Sequence, residues 1–154
     1  MAAGFWVNIT TKDIRSSQNF YSHLGFQMVT QAADTGNVVQ FAIDETDSRL
    51  NLIAEEEMQE KGDPHARTIT SVKTVFILDC EDMEEVDEYS RKAIEGRGSM
   101  ITPPHVIPGG YECGFADPDD HHWKVLFRKR KQPLIRSFFD GQDRQANADQ
   151  KSGK

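Results

Sequence analysis

Apolar and polar side chains alternate through residues 5–10, a pattern that predicts a β-strand with two different faces. Trp6 and Asn8 would share one face, because side chains along a strand alternate with a period of two. Asp13 can cap a helix after this strand, and Gly25 would end that helix. The apolar residues between them recur at helical spacing: Ile14, Phe20, Tyr21 and Leu24.

Three short runs rich in apolar and β-branched residues follow this helix, at residues 26–30, 37–43 and 49–54. A turn-prone sequence at residues 34–37 separates the first two runs. The first part of the chain is therefore predicted to form a βαβββ unit.

The same order of elements starts again near residue 73, where a β-rich run precedes a helix that Asp82 can cap. Superimposing Asp82 on Asp13 gives an offset of 69 residues (82 minus 13), and apolar residues then match at the four positions compared. Gly96 and Gly98 would end the helix. Short strands are predicted near residues 99–102, 111–116 and 122–127, so the second part is again βαβββ, with a break at Pro103-Pro104 after the first of them.

The segment between the two units is polar and carries three consecutive glutamates, which predicts either a linker or a flap that covers a ligand. Beyond Phe127 a basic block is followed by an apolar run and a polar end. We therefore expect one domain over residues 1–131. Its modules would span about residues 5–54 and 72–128, joined by a linker at 55–71. The C-terminal tail, residues 132–154, is expected to be disordered from about residue 141.

A net charge of -7 over 154 residues opposes nonspecific binding to nucleic acid or to anionic membranes, and it mildly favours neutral or cationic ligands. Cys80 and Cys113 do not have metal-ligand spacing, and no stretch approaches 18 apolar residues. A basic N-terminal region leading into an apolar run is also missing. We therefore expect a cytoplasmic protein with free thiols and no nucleic-acid or membrane partner.

Two motifs carry a resemblance to a known family. Residues 13–26 match the pattern D-x-x-x-S-x-x-F-Y-x-x-L-G-F, and residues 117–123 resemble a D-P-D-G-x-x-W turn with Asp120 in place of the usual glycine. Both patterns are similar to those of the glyoxalase, bleomycin-resistance and dioxygenase superfamily, also called vicinal oxygen chelate proteins. The resemblance covers about residues 5–128 and implies an α+β fold, in which two βαβββ modules form an incomplete curled barrel around a cleft, with helices outside. It also implies a homodimer.

Metal-dependent members of this superfamily take their ligands from the first and fourth strands of each module. The matching positions here are Trp6 and Asn51 in the first module, with Asn51 uncertain by one residue, and Val75 and Lys124 in the second. None of these four is a histidine or a carboxylate, which divalent metals require in such sites. We therefore predict no metal ion and no other cofactor.

The same register predicts which residues face the cleft and bind a ligand: Trp6, Asn8, Gln40, Asn51, Val75, Glu112, His122 and Lys124. Trp6 could instead fill the barrel as core. Antiparallel pairing would bring Glu112 near Lys124, within a residue of register, and the carboxylate would oppose the neutral form of the lysine that catalysis needs. No residue is assigned a catalytic role.

Two functions remain open from the sequence. The first is a metal-free binding protein that sequesters a small aromatic or cationic compound in a dimeric cleft. The alternative is a divergent lyase, isomerase or related metal-dependent enzyme of the glyoxalase branch, which needs a metal or general base that the sequence does not reveal.

Overall fold

The computed structural model describes residues 1–30, 36–60 and 74–129. Most of the expected linker, including any flap, and the whole C-terminal tail lie outside these residues. The prediction of a disordered end therefore also falls outside them.

The first module consists of β1 (Phe5–Thr11), α1 (Ile14–Leu24), β2 (Gln27–Thr30), β3 (Val38–Ala42) and β4 (Ser48–Ala54). Its strands form the first sheet, in the order β1-β4-β3-β2. β1 pairs with β4 in parallel, and the other neighbours pair antiparallel.

Local signals in the sequence set both ends of α1. Asp13 Oδ1 accepts hydrogen bonds from the backbone N–H groups of Arg15 and Ser16 at 3.1 and 3.2 Å. These bonds satisfy donors that the first helical turn leaves without partners. Gly25 ends the helix with φ at +107°, a backbone conformation that glycine adopts at little cost.

The helix α2 (Glu55–Glu60) follows β4. The sequence analysis expected a linker or a flap from residue 55 and did not predict that its first six residues are helical. Three glutamates occupy the first turn of α2, where negative charge interacts favourably with the helix dipole. That arrangement stabilises a short helix which shows no apolar period.

The second module repeats the plan with β5 (Val75–Cys80), α3 (Met83–Glu95), β6 (Ser99–Ile107), β7 (Gly110–Ala116) and β8 (His122–Arg128). The second sheet has the order β5-β8-β7-β6, with β5 parallel to β8. The two βαβββ modules and the α+β class predicted from the sequence are confirmed. Within the described residues, the two sheets are not closed into a barrel.

The predicted strand break at Pro103-Pro104 was wrong, since β6 runs through both prolines. The pairing of β6 with β7 shifts between Thr102 and His105, so the prolines occupy an irregularity in the ladder. β6 lies at the edge of the sheet, where proline removes no hydrogen bond that a central strand would need.

The core lies where α1 and α3 meet the sheets. α1 packs on β3 and β4, α3 packs on the second sheet, and the two helices contact each other. The Tyr21 ring of α1 lies 6.0 Å from Phe41 in the first sheet and 5.8 Å from Trp123 in the second, measured between centroids. α1 thus joins the two modules through buried aromatic contacts. None of the described helices is long and apolar enough to cross a membrane.

Candidate functional site

Among the described residues, each sheet has one face that packs on the helices and one that does not, which we call its open face. The open face of the first sheet carries Trp6, Asn8, Gln40, Arg49 and Asn51. That of the second sheet carries Val75, Ile77, Glu112, His122 and Lys124. The eight residues that the sequence assigned to the cleft therefore divide into two groups of four, one on each open face.

Three side-chain amides form a chain across the first open face. Gln40 Nε2 donates a hydrogen bond to Asn51 Oδ1 at 2.9 Å, and Asn51 Nδ2 donates to Asn8 Oδ1 at 2.8 Å. The chain forms because Asn51 on β4 lies directly opposite both Gln40 on β3 and Asn8 on β1. Each amide donates to the next, from Gln40 to Asn51 to Asn8. The N–H groups of Asn8 therefore stand at the end of the chain.

Trp6 lies two residues before Asn8 on the same face, and it is 59% exposed. Its ring therefore does not fill the core. Arg49, which the sequence reading did not single out, is the neighbour of Trp6 on β4. Its guanidinium forms an ion pair with Asp47 at 3.2 Å and also donates to the backbone oxygens of Thr46 and Ser48. The positive charge of Arg49 is thus paired with Asp47 and with backbone oxygens of the turn that leads into β4.

An ion pair dominates the second open face. Lys124 Nζ lies 3.4 Å from Glu112 Oε2, with the Glu112 side chain 18% exposed and the Lys124 side chain 41% exposed. Glu112 lies opposite Leu126 and Lys124 opposite Gly114, so the pair is diagonal and two residues out of register. Long side chains reach across such a diagonal.

His105 belongs to this charged group, and the sequence reading missed it. Its Nε2 lies 3.6 Å from Glu112 Oε1, while its Nδ1 lies 2.9 Å from the backbone oxygen of Pro103. A carbonyl can only accept, so Nδ1 carries a proton and Nε2 faces the carboxylate. No local signal in the sequence marks this histidine, because its position beside Glu112 depends on β6 continuing past Pro104 as an edge strand.

His122, the remaining predicted residue, lies at the start of β8 beside the preceding turn. Its Nε2 is 3.2 Å from Asp120 Oδ1, so its polar contact is with the turn. Val75 pairs with His122 in the parallel ladder and is 51% exposed. At this end of the second open face, the apolar side chain of Val75 thus lies beside the imidazole of His122.

The residues at the four metal-ligand positions do not fit a divalent cation. Asn8 pairs with Asn51, and Ile77, which lies 69 residues after Asn8, pairs with Lys124, so Asn51 and Lys124 occupy equivalent positions in the two sheets. The Lys124 ammonium already interacts with Glu112, and a cation bound there would be repelled. Trp6 and Val75 offer no ligand atom of the kind such metals prefer.

A second group of possible ligand atoms lies in the turn before β8, where Asp117, Asp119 and His121 each offer one within 4.8 Å of the others. These groups are already bonded. Asp117 Oδ1 accepts from the backbone N–H groups of Asp119 and His121, and its Oδ2 accepts from Tyr21 Oη at 2.6 Å. Ser17 donates to Asp119 Oδ2 at 2.8 Å. The group acts as a structural turn that ties α1 to β8.

Burial explains the shifted acidities around the core. Burial, together with the nearby charge of Asp117, raises the pKa of Tyr21 well above its ordinary value. Burial likewise raises the pKa of Cys80 to about 12 and that of Cys113 to about 11. Both cysteines are free thiols, as predicted, and neither is available as a thiolate nucleophile near neutral pH.

Solved structures share this fold. A hypothetical protein from S. aureus is 27% identical with a TM-score of 0.68, over 82% of this chain and 94% of the other. A glyoxalase/bleomycin resistance protein/dioxygenase family enzyme from Burkholderia phytofirmans PsJN is 22% identical with a TM-score of 0.67, over 80% and 96% of the two chains. A lactoylglutathione lyase from Agrobacterium tumefaciens is 22% identical with a TM-score of 0.61, over 84% and 96%.

No curated protein matches the sequence. The sequence profile of the Glyoxalase/Bleomycin resistance protein/Dioxygenase superfamily, however, matches residues 5–125, which is most of the chain and includes both modules. The motifs at residues 13–26 and 117–123 pointed to the same family from the sequence. The repeated βαβββ plan, the two open faces and this match agree, and the chain belongs to the Glyoxalase/Bleomycin resistance protein/Dioxygenase superfamily.

Proposed function

We propose that this protein binds a small organic molecule without a metal ion, in a cleft that two copies of the chain form from their open faces. The ligand is an aromatic or cationic compound, and binding sequesters it. The observation that carries the proposal is the Lys124–Glu112 ion pair, which occupies a position where metal-dependent relatives bind their metal.

The residues of the open faces support a small-molecule ligand. Trp6 provides an exposed aromatic ring, Asn8 provides amide donors, and Val75 and Ile77 provide apolar contact. Sites for small molecules combine apolar walls with a few oriented polar groups in this way.

The exposed apolar residues also support a homodimer. Trp6, Val75 and Ile77 lie on faces that the helices of the described residues do not cover, and burial of such residues stabilises an interface. Ile77→Lys should therefore give a monomer, because it places a charge in the interface. Ile94→Lys is the matched control, since Ile94 is similarly exposed but lies on α3.

Size-exclusion chromatography with light scattering at micromolar concentration measures this directly. We expect a dimer for the wild type, for Ile94→Lys and for a chain lacking residues 141–154. A monomeric wild type would contradict the dimeric cleft. Dissociation on truncation would show that the tail takes part in assembly.

Metal independence is tested by thermal unfolding with and without nickel or zinc. A ligand that binds only the native state raises Tm, so we expect no saturable rise. A rise that Asn51→Ala abolishes would refute the proposal. A rise that Asp119→Asn alone abolishes would place the metal at the turn before β8.

An enzymatic function is the second candidate, and one observation favours it. Glu112 lies 3.4 Å from Lys124 and 3.6 Å from His105, so three groups able to exchange protons meet on the second open face. Because the A. tumefaciens neighbour is named as a lactoylglutathione lyase, lactoylglutathione is the first compound to test. Turnover that Glu112→Gln removes, while Tm is maintained, would establish this alternative.

A further inference from the structure

We propose that the first open face recognises an uncharged planar ring system that carries a carbonyl group in the ring, such as a bicyclic lactam. The ring stacks on Trp6, and its carbonyl oxygen accepts a hydrogen bond from the Asn8 amide. This inference rests on the proposed function, and it narrows the ligand class and assigns a role to each residue.

The amide chain fixes what Asn8 offers. Asn8 Oδ1 accepts from Asn51, whose own Oδ1 accepts from Gln40, so the orientation of all three amides is linked. Asn8 Nδ2 has no hydrogen-bond partner within residues 1–30, 36–60 and 74–129. Successive bonds in such a chain polarise one another, which strengthens the terminal donor. Asn8 therefore presents a donor that is held in place.

Trp6 adds a flat apolar surface, and its distance from Asn8 matches the length of a two-ring ligand. Residues i and i+2 of a strand are about 6.8 Å apart, close to the length of a fused two-ring system. A bicyclic ring on Trp6 can thus bring a polar group on its edge to Asn8. Stacked aromatic contacts of this kind add specificity to the burial of area.

The charge of this face selects an uncharged ligand. Asn8, Asn51 and Gln40 are neutral, and the guanidinium of Arg49 is held by Asp47 and backbone oxygens. The Asp47 carboxylate is already paired with Arg49, so a cationic ligand would have to displace the guanidinium, and it would also meet the N–H groups of Asn8. The second open face instead carries the ion pair between Lys124 and Glu112.

The chain contains two tryptophans, which report on the site separately. The Trp6 indole is exposed, whereas Trp123 is buried and donates to Tyr21 Oη at 3.1 Å. Proton–nitrogen NMR spectra of the full chain resolve the two indole N–H signals, and Trp6→Ala assigns them. The probes are quinazoline-2,4-dione as the lactam, naphthalene as the ring without an acceptor, and N-methylquinolinium as the cation.

We expect quinazoline-2,4-dione to shift the Trp6 indole and Asn8 amide signals saturably and to leave Trp123 in place. Asn8→Asp retains the bond from Asn51 but replaces the donor by an acceptor, so Kd should rise about tenfold or more. Asn19→Asp, an exposed asparagine on α1, is the matched control and should change Kd less than about twofold.

The inference is overturned if the lactam gives no saturable shift of Trp6, if naphthalene or N-methylquinolinium binds as tightly, or if Asn8→Asp leaves Kd unchanged. If quinazoline-2,4-dione does not bind and nickel and zinc leave Tm unaffected, this ligand class is rejected but the proposed function is not. A saturable rise of Tm with metal that Asn51→Ala abolishes rejects the proposed function itself.

Discussion

The two open faces have the same strand arrangement but carry different side chains at equivalent positions. At the positions related by 69 residues, the first face has Asn8 and the second has Ile77. At the equivalent fourth-strand positions, an amide chain passes through Asn51, whereas Lys124 forms an ion pair with Glu112. Residues that pack on the helices must stay apolar for the fold to form, but residues on the open faces are free of that requirement. The repeat thus preserves the frame while each open face carries different chemistry.

The turns between the third and fourth strands of the modules differ in the same way. Asp117 is 3% exposed and accepts hydrogen bonds from both backbone and side-chain donors, including Tyr21 of the other module. Asp44 starts the turn of the first module, is exposed, and accepts hydrogen bonds from the backbone and side chain of Thr46, two residues away. One turn holds the modules together, and the other closes a hairpin.

The largest expected effect therefore comes from comparing Asp117→Ala with Asp44→Ala. Loss of Asp117 leaves several buried donors without an acceptor, which should lower the free energy of unfolding by about 3–5 kcal/mol. Asp44→Ala, the matched control, should cost less than about 1 kcal/mol because water replaces its bonds. Urea unfolding monitored by fluorescence measures both. Similar costs for the two variants would contradict the difference between the turns.

The next comparison is between Asn51→Leu and Lys124→Met, which alter equivalent positions. Asn51→Leu removes both bonds of the amide chain and should cost about 1–2 kcal/mol. Lys124→Met should cost about 0.5–1 kcal/mol, because its side chain is 41% exposed and Glu112 keeps His105 as a neighbour.

A double-mutant cycle with Glu112→Leu isolates the ion pair, and we expect a coupling of at most about 1 kcal/mol. Zero coupling would show that the pair contributes nothing to stability. A cost of Lys124→Met greater than that of Asn51→Leu would reverse the comparison.

A pH effect should distinguish the turns as well, since only the second contains a histidine. Burial of the ring opposes protonation of His121, but its hydrogen bond with Asp117 and the surrounding carboxylates outweigh burial and raise its pKa above the ordinary value. The resulting stabilisation is full below about pH 6.5 and is lost as the pH rises through the raised pKa.

The free energy of unfolding should therefore fall as the pH increases above about 6.5, by more in the wild type than in His121→Gln. Urea unfolding at a series of pH values measures the two profiles. Parallel profiles would show that His121 does not contribute to this dependence.

The smallest effect is expected at Asp120, which takes the place of the family's usual glycine. Its φ of +67° explains that preference, because side chains other than glycine adopt this conformation at a cost. Asp120→Gly should stabilise the protein by about 0.5 kcal/mol. Asp120→Ala, which keeps a Cβ and loses the contact with His122, should instead destabilise it. Thermal unfolding of both variants tests the sign.

The sequence by itself determined the elements whose signals are local. Asp13 and Gly25 marked the ends of α1 through a side-chain acceptor and a left-handed backbone position, both of which act within a few residues. Strand alternation likewise placed Trp6 beside Asn8, and Lys124 with His122, because a period of two needs no knowledge of the partner strand.

Only the tertiary structure decided which distant residues meet. Pro103 and Pro104 suggested a break, but an edge strand tolerates them, and so His105 came to lie beside Glu112. Trp6 could have been core or surface from its pattern alone, and the packing of the helices on the other side of the sheet left it exposed. The bond from Tyr21 to Asp117 spans 96 residues between the modules. Such contacts depend on how whole elements pack, which no local pattern encodes.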